Sequence, residues 1–283
     1  MRDLAGFLIA FGAMALVFSL IERLFPSIPG QRRWRSGART DLVYWLAQPL
    51  LFKPIVRAVT AAAVIALALL SGVAADRTSL AEWITRGHGP LARLPLAAQA
   101  ILALLVADLA GYWVHRLFHT TGLWRFHAVH HSSRELDWLA SVRAHPFNEL
   151  FASIVHALVL VALGFRIEIL AGVVPFFTLY AILLHANVRW SFGPLRYVLA
   201  SPMFHRWHHT SEEEGLDRNF AGLFPLWDLV FGTFHMPVGR APRTFGVLRE
   251  QVPEGFLQQL AWPFRAPSPN AHHTPPMTPA PRR

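Results

Sequence analysis

Runs of about 20 mostly apolar residues recur along this 283-residue chain, each long enough to cross the hydrocarbon core of a bilayer. In that core backbone polar groups must be satisfied within their own segment, so such runs fold as helices. Residues 4–25 form the first, apolar apart from Glu22 and Arg23 near its end. They lack the positive flank and small-residue cleavage site of a secretory signal and read as a span. Arg32, Arg33, Arg35 and Arg39 come next, and the positive-inside rule places them on the cytoplasmic side. Residues 41–52 are too short to span, and Pro49, Lys53 and Pro54 separate them from the next apolar run, which predicts an interfacial or re-entrant helix. Residues 54–75 then cross outward, with Arg57 placed to snorkel to the headgroups. Residues 76–93 make an external connection, residues 94–114 return inward, and residues 147–190 form a helical hairpin around Gly164, Arg166 and Glu168. The expected fold is all-α: an integral membrane bundle of about five spanning helices with a cytoplasmic, histidine-rich helical cap.

The formal charge of +9 is carried almost wholly by arginine, since Lys53 is the only lysine. The arginines lie between apolar runs instead of gathering on one soluble stretch, which argues against a nucleic-acid binder. There is no cysteine, so structural disulfides, thiolate ligands and a cysteine nucleophile are excluded.

Histidines dominate the polar residues near the hairpin. His115 and His119 are spaced HxxxH, and His127, His130 and His131 are spaced HxxHH, a pattern repeated by His205, His208 and His209. Residues four apart stack on one helical face and can grip one ion, whereas adjacent histidines diverge by about 100° and can serve two. Neutral imidazole suits iron, copper, nickel and zinc. Because a hairpin crosses the membrane twice, His185 and the third cluster return to the face that carries the first two clusters and His145. Asp108, seven residues before His115, is costly inside a span unless paired and is expected to orient a ligand by accepting its second N–H. Asp137, Asn187, Asn219 and Asp228 are further candidates for that supporting role.

The three boxes closely resemble those of the fatty acid hydroxylase / sterol desaturase superfamily. The likeness extends to Tyr112-Trp113, His131-Ser132-Ser133, Arg143-Ala-His145-Pro146, His185-Ala-Asn187, Asn219-Phe220 and Trp227-Asp228, and covers roughly residues 95–236. It implies a non-haem diiron enzyme that uses O2 to hydroxylate or desaturate a lipid C–H bond. The iron ligands it implies are His115, His119, His127, His130, His131, His185, His205, His208 and His209. Arg189 stands where some relatives have a further histidine, which leaves His145 or water for that position. The resemblance also implies electrons from NAD(P)H through a separate protein, cytochrome b5-like, ferredoxin or rubredoxin with a reductase, since no dinucleotide, haem or flavin motif is evident. The expected location is a bacterial inner membrane with the metal site on the cytoplasmic face.

Two other readings compete. A zinc-dependent membrane hydrolase needs only three ligands and usually a carboxylate base, which the boxes lack. A metal transporter or storage protein needs ionisable ligands along a path through the membrane, for which only Asp108 and His156 stand out. The chain divides into N-terminal membrane helices and loops (1–93), a histidine-box domain (94–236), and a C-terminal segment (237–283), Pro-rich and expected to be disordered from about residue 264.

Overall fold

The computed structural model describes residues 2–248 and 250–265. Among them no strand forms, and β pairing is limited to isolated bridges between Pro26 and Val188 and between Thr210 and Phe245. The proline-rich tail, with His272 and His273, lies outside the described residues.

Helix α1 (Arg2–Leu24) turns Phe11, Met14, Ala15, Phe18 and Ile21 toward Trp138, while Ile9 and Leu16 face outward. Helix α2 (Ala38–Ala47) does not end before the next span. A five-residue π turn, Gln48–Phe52, joins it to α3 (Lys53–Leu70) in one helix, Ala38–Leu70. The break expected at Pro49, Lys53 and Pro54 is therefore absent. In a π turn the N–H reaches back five residues, as Lys53 N–H does to the Gln48 carbonyl, and the wider winding accommodates the proline rings. Only the α3 part faces outward over much of its length. In α2 Ala38, Asp41, Tyr44 and Trp45 are buried in the cap.

Helix α4 (Arg77–Arg86) is capped by Asp76, which accepts from Ser79 N–H at 2.9 Å. Helices α5 (Leu96–Thr120), α6 (Trp124–His131), α7 (Pro146–Ala162) and α8 (Ile167–His185) come after it. The expected hairpin is present as α7 and α8. Its turn needs glycine at 164, where φ is +84° and a Cβ would lie 2.0 Å from the His88 carbonyl oxygen. Short helices α9 (Pro202–His208), α10 (Leu226–Val230) and α11 (Phe256–Ala261) complete the cap. Ser201 caps α9 by accepting from Phe204 N–H at 3.1 Å.

Four helices are long and apolar enough to cross a membrane: Ala5–Leu24, Ala38–Leu70, Leu96–Thr120 and Ile167–His185. The 17-residue α7 is a fifth apolar helix, roughly 26 Å long at 1.5 Å per residue. Outward-facing Ile9, Leu70 and Val174 are 73%, 87% and 63% exposed, as expected of a lipid-facing surface. The chain is a multi-pass membrane protein.

Helix α3 packs along α7, while α7 and α8 both pack along α5. Helices α3 and α8 make no extended contact with each other, so the four surround a cup open on one side. Gly111 lets α7 approach α5: a Cβ there would be 3.2 Å from His156 Nε2, which meets the Ala107 carbonyl at 3.1 Å.

A buried ion cluster fastens the cap. Asp41 accepts from Arg143 Nε at 2.6 Å and from Arg35 at 2.7 Å, and Arg35 also pairs with Asp137. Arg35 is thus buried and bonded, not the exposed topology signal its neighbours suggested. Asp137, expected to support a histidine, binds Arg35 instead.

Candidate metal centre

The box histidines meet where α5, α6, α8 and α9 converge. His115 and His119 sit one turn apart on α5, His127, His130 and His131 occupy one stretch of α6, His185 ends α8, and His205 and His208 lie on α9 with His209 just beyond. They form two groups within which potential ligand atoms lie within 4.8 Å of one another. One is His115, His119, His127, His131 and His208, and the other is His130, His185, His205 and His209. Each HxxHH box contributes to both groups, because its adjacent histidines point in different directions. The groups touch: the His131 and His209 rings are stacked with centroids 4.3 Å apart.

Hydrogen bonds at the rear of the rings set their tautomers. The Nδ1–H of His115 donates to the Phe220 carbonyl at 2.8 Å, that of His127 to Asn148 Oδ1 at 2.8 Å, and that of His130 to the Arg143 carbonyl at 3.0 Å. His185 donates to the Ala181 carbonyl at 2.7 Å, His208 to the Arg218 carbonyl at 2.7 Å, and His119 to Asp217 Oδ1 at 3.0 Å. With the proton held on Nδ1, each of these six rings turns an Nε2 lone pair inward.

The Nε2 atoms of the two groups crowd one another. Nε2 of His127 is 2.9 Å from that of His115 and 3.2 Å from that of His131. Nε2 of His205 is 3.2 Å from that of His185 and 3.0 Å from that of His209. The buried Nε2 atoms of His119 and His208 have no hydrogen-bond partner. Between His115 and His127, whose protons both sit on Nδ1, two lone pairs face each other and repel, and a cation there removes the repulsion and meets the demand of His119 and His208. Burial, reinforced by neighbouring histidines, pushes His127, His131, His205, His208 and His209 well below the usual histidine value, and burial takes His130 down to about 4. Neutral imidazoles are the form that binds metal. The donor set therefore fits two adjacent transition-metal ions.

Residues 100–233 match the family model described as fatty acid hydroxylase. This part of the chain belongs to that family. Among curated proteins, the chain is 34% identical over 171 residues to an ornithine lipid hydroxylase of Rhizobium tropici, covering 60% of this chain and 51% of that protein. It is 34% identical over 134 residues to an alkylglycerol monooxygenase of Danio rerio, covering 47% of this chain and 30% of that protein. A very-long-chain aldehyde decarbonylase of Oryza sativa is 29% identical over 168 residues, covering 53% of this chain and 24% of that protein. The chain thus spans about half the length of the first of these relatives and under a third of the other two. No solved structure gives a significant match.

Within the hydroxylase-family domain the acidic and amide candidates act at one remove. Asp108 does not accept from a histidine: its carboxylate takes the backbone N–H groups of Gly222, Leu223 and Phe224 at 2.7 to 3.0 Å. Asp228 accepts from Phe220 N–H at 2.8 Å, Ala221 N–H at 2.9 Å and the Thr233 hydroxyl at 2.6 Å. Together they hold the loop whose Phe220 carbonyl receives His115. Asn187 pairs with the backbone of Ile28 through both ends of its amide, at 3.0 and 3.1 Å, and contacts none of the box histidines. Asn219 likewise ties Phe204 and His235 through backbone atoms.

His145 joins neither group. Its Nδ1 accepts from Phe147 N–H at 3.1 Å, capping α7, and its Nε2–H donates to the Leu260 carbonyl at 3.1 Å, so both nitrogens are engaged elsewhere. The side chains that directly support box histidines, Asn148 and Asp217, were not singled out by the sequence. Neither belongs to a histidine box. In the structure Asp217 and Asn219 adopt left-handed backbone at φ 53° and 60°, a conformation Asp and Asn tolerate.

A cavity of about 990 Å3 extends from the histidines between α3, α5, α7 and α8. At one end it is lined by His115, His127, His130, His185 and His205, and away from them by apolar side chains such as Leu160, Ile167 and Leu170. Exposed Arg57 and Ile65 on α3 and Val174 on α8 also border it, so the cup opens toward the surrounding lipid.

Proposed function

We propose that this protein is an O2-dependent non-haem diiron oxidoreductase that hydroxylates or desaturates a lipid. The reading rests above all on the two adjoining groups of inward-facing neutral histidines at the end of an apolar cavity. The first iron would be held by His115, His119, His127, His131 and His208, and the second by His130, His185, His205 and His209. Bound iron would supply the reduction of O2 and the oxidation of an unactivated C–H bond. For hydroxylation, one oxygen atom enters that bond and the other leaves as water, consuming two electrons and two protons delivered from outside. A separate electron-transfer protein, cytochrome b5-like, ferredoxin or rubredoxin with its NAD(P)H-linked reductase, fits this demand.

The chain's own residues prepare the site. Asn148 and Asp217 hold the Nδ1 protons of His127 and His119, and so keep those Nε2 lone pairs available. The Asp108 and Asp228 cradles fix residues 220–224 across the cavity wall, and the apolar lining admits an acyl chain while keeping bulk water away. Arginines at 116, 125 and 134 favour a cytoplasmic placement of the histidines, in a bacterial inner membrane. Functionally, residues 94–236 form the oxidising domain, with 1–93 supplying one cavity wall and residues 250–265 bracing the cap. Hydrolysis by one zinc is less well supported, because neither histidine group contains a carboxylate to act as base.

The test is metal content and product mass. Full-length protein from iron-supplemented cells should hold two irons per chain, and His131→Ala and His205→Ala, one from each group, should each lower that content. Lipids from cells expressing the wild type under 18O2 should acquire the heavy isotope if hydroxylated. A single zinc with the boxes intact, or no bound metal, would overturn the diiron reading.

A further inference from the structure

The cavity is not apolar throughout. Lys53 and Arg57, one turn apart on α3, border it, and among the described residues neither side chain makes an ion pair or hydrogen bond. Lys53 is half-buried and is the chain's only lysine, while Arg57 is exposed at the open side. Glu149 on α7 also lines the cavity and is bound to neither cation, so this part of the wall carries a net positive charge.

Its depth can be read from the hydrogen bonds. Gln48 meets the Val142 and Ala144 carbonyls at 3.4 Å each, which aligns the start of α3 with the start of α7. From there the two helices run in the same direction and pack together. Lys53 therefore lies near the first turn of α7, where Asn148 holds His127, and Arg57 one turn farther on. The cations and the histidines share one end of the cavity. The remainder, along α7 from residue 148 to residue 161, extends away for roughly 20 Å at 1.5 Å per residue.

We infer that Lys53 and Arg57 bind the anionic head, phosphate or carboxylate, of the lipid whose chain fills the cavity, so that the carbon presented to the histidine groups lies close to that head. The inference rests on the lipid-oxidising reading above and deepens it. Guanidinium and ammonium donors form charge-assisted bonds with such oxygens, and beside an apolar wall they are less screened than on an open surface. With the head held at the histidine end, the tail points away and its terminal carbons are out of reach. The oxidised position is therefore head-proximal. The bland alternative is that both cations merely snorkel to bulk headgroups.

The experiment uses full-length protein in an uncharged maltoside detergent, with two photoreactive probes bearing a diazirine at the end of one acyl chain. One is a phosphatidic acid and the other a diacylglycerol of identical chains. The wild type should be labelled about tenfold more by the anionic probe, a difference of ~1.4 kcal/mol. Lys53→Gln/Arg57→Gln should reduce that labelling to the diacylglycerol level with an unchanged melting temperature, whereas the exposed Arg39→Gln should leave it intact. Cross-links should map to Leu160, Ile167 or Leu170 at the far end. Labelling that ignores head charge, survives the double substitution, or maps beside Phe118 would overturn the inference. Complete displacement by inorganic phosphate would also overturn it, assigning the site to a free anion. Because labelling requires neither iron nor turnover, its failure in iron-loaded protein would remove this inference alone, and failure of iron loading would leave the labelling result standing.

Discussion

Asp217→Asn separates the two histidine groups energetically. Asp217 touches only His119, so the substitution acts on the first group and leaves the second unperturbed. Asn keeps an oxygen acceptor and tolerates the left-handed backbone at φ 53°, whereas Ala would add strain of ~1–2 kcal/mol. The charge is what is lost. A hydrogen bond involving a charged group contributes about 1.5–3 kcal/mol against about 0.5–1.5 for a neutral pair. Because the Asp217 side chain is 20% exposed, water offsets part of the difference, which points to the low end, about 1 kcal/mol or a fivefold drop in affinity. Titrating the apo protein with cobalt against a chelator, followed by its visible absorption, should show one binding step weakened about fivefold and the other unchanged, at unaltered folding stability. Equal weakening of both steps, or of neither, would refute the assignment of Asp217 to a single metal position.

Asp41→Asn leaves Arg35 and Arg143 buried with one negative partner fewer, and should cost about 3–5 kcal/mol in denaturant unfolding, a loss below 1 contradicting the role of the cluster. Gly111→Val forces side-chain atoms into His156 and should lower stability by ~1–3 kcal/mol in a thermal melt, whereas the same change at Gly12, with open space around its Cβ position, should be nearly neutral. His145 is held below the usual histidine value by burial, and its neutral form caps α7, so its stabilising contribution is complete above pH 6.5 and is lost as pH falls through its lowered folded value. The melting-temperature gap between wild type and His145→Ala should therefore narrow on acidification from pH 7.5 to 5, and a constant gap would contradict the capping role.

The histidine spacing was legible because the α-helical repeat converts sequence intervals directly into faces, so the separation of His130 from His131 and of His208 from His209 follows from local geometry. The hairpin was legible because two apolar arms around Gly164 leave few alternatives. The π turn was not, since a proline pair in an apolar run predicts a break unless the register shift that relieves it can be seen. Arg35 and Arg39 stand four apart in the same loop-to-helix stretch and look alike in sequence. Only the fold distinguishes the one that meets Asp41 and Asp137 from the one that stays exposed. Asp108 stands out in sequence as needing a partner, yet its partners are backbone amides more than a hundred residues away, which no side-chain pattern encodes. Asn148 and Asp217 do not stand out, because an isolated amide or carboxylate acquires its meaning only from the ring it faces.

Neither histidine group is contributed by one segment. The first draws on α5, α6 and α9, and the second on α6, α8 and α9. Chain order thus becomes timing: during synthesis the α5 and α6 histidines emerge first, and both groups remain unfinished until residues 205–209 emerge behind the hairpin. On the proposed ligand assignment, full coordination of either metal becomes available only late in synthesis. A chain interrupted between the hairpin and α9 would lack His205, His208 and His209 and so leave both groups incomplete.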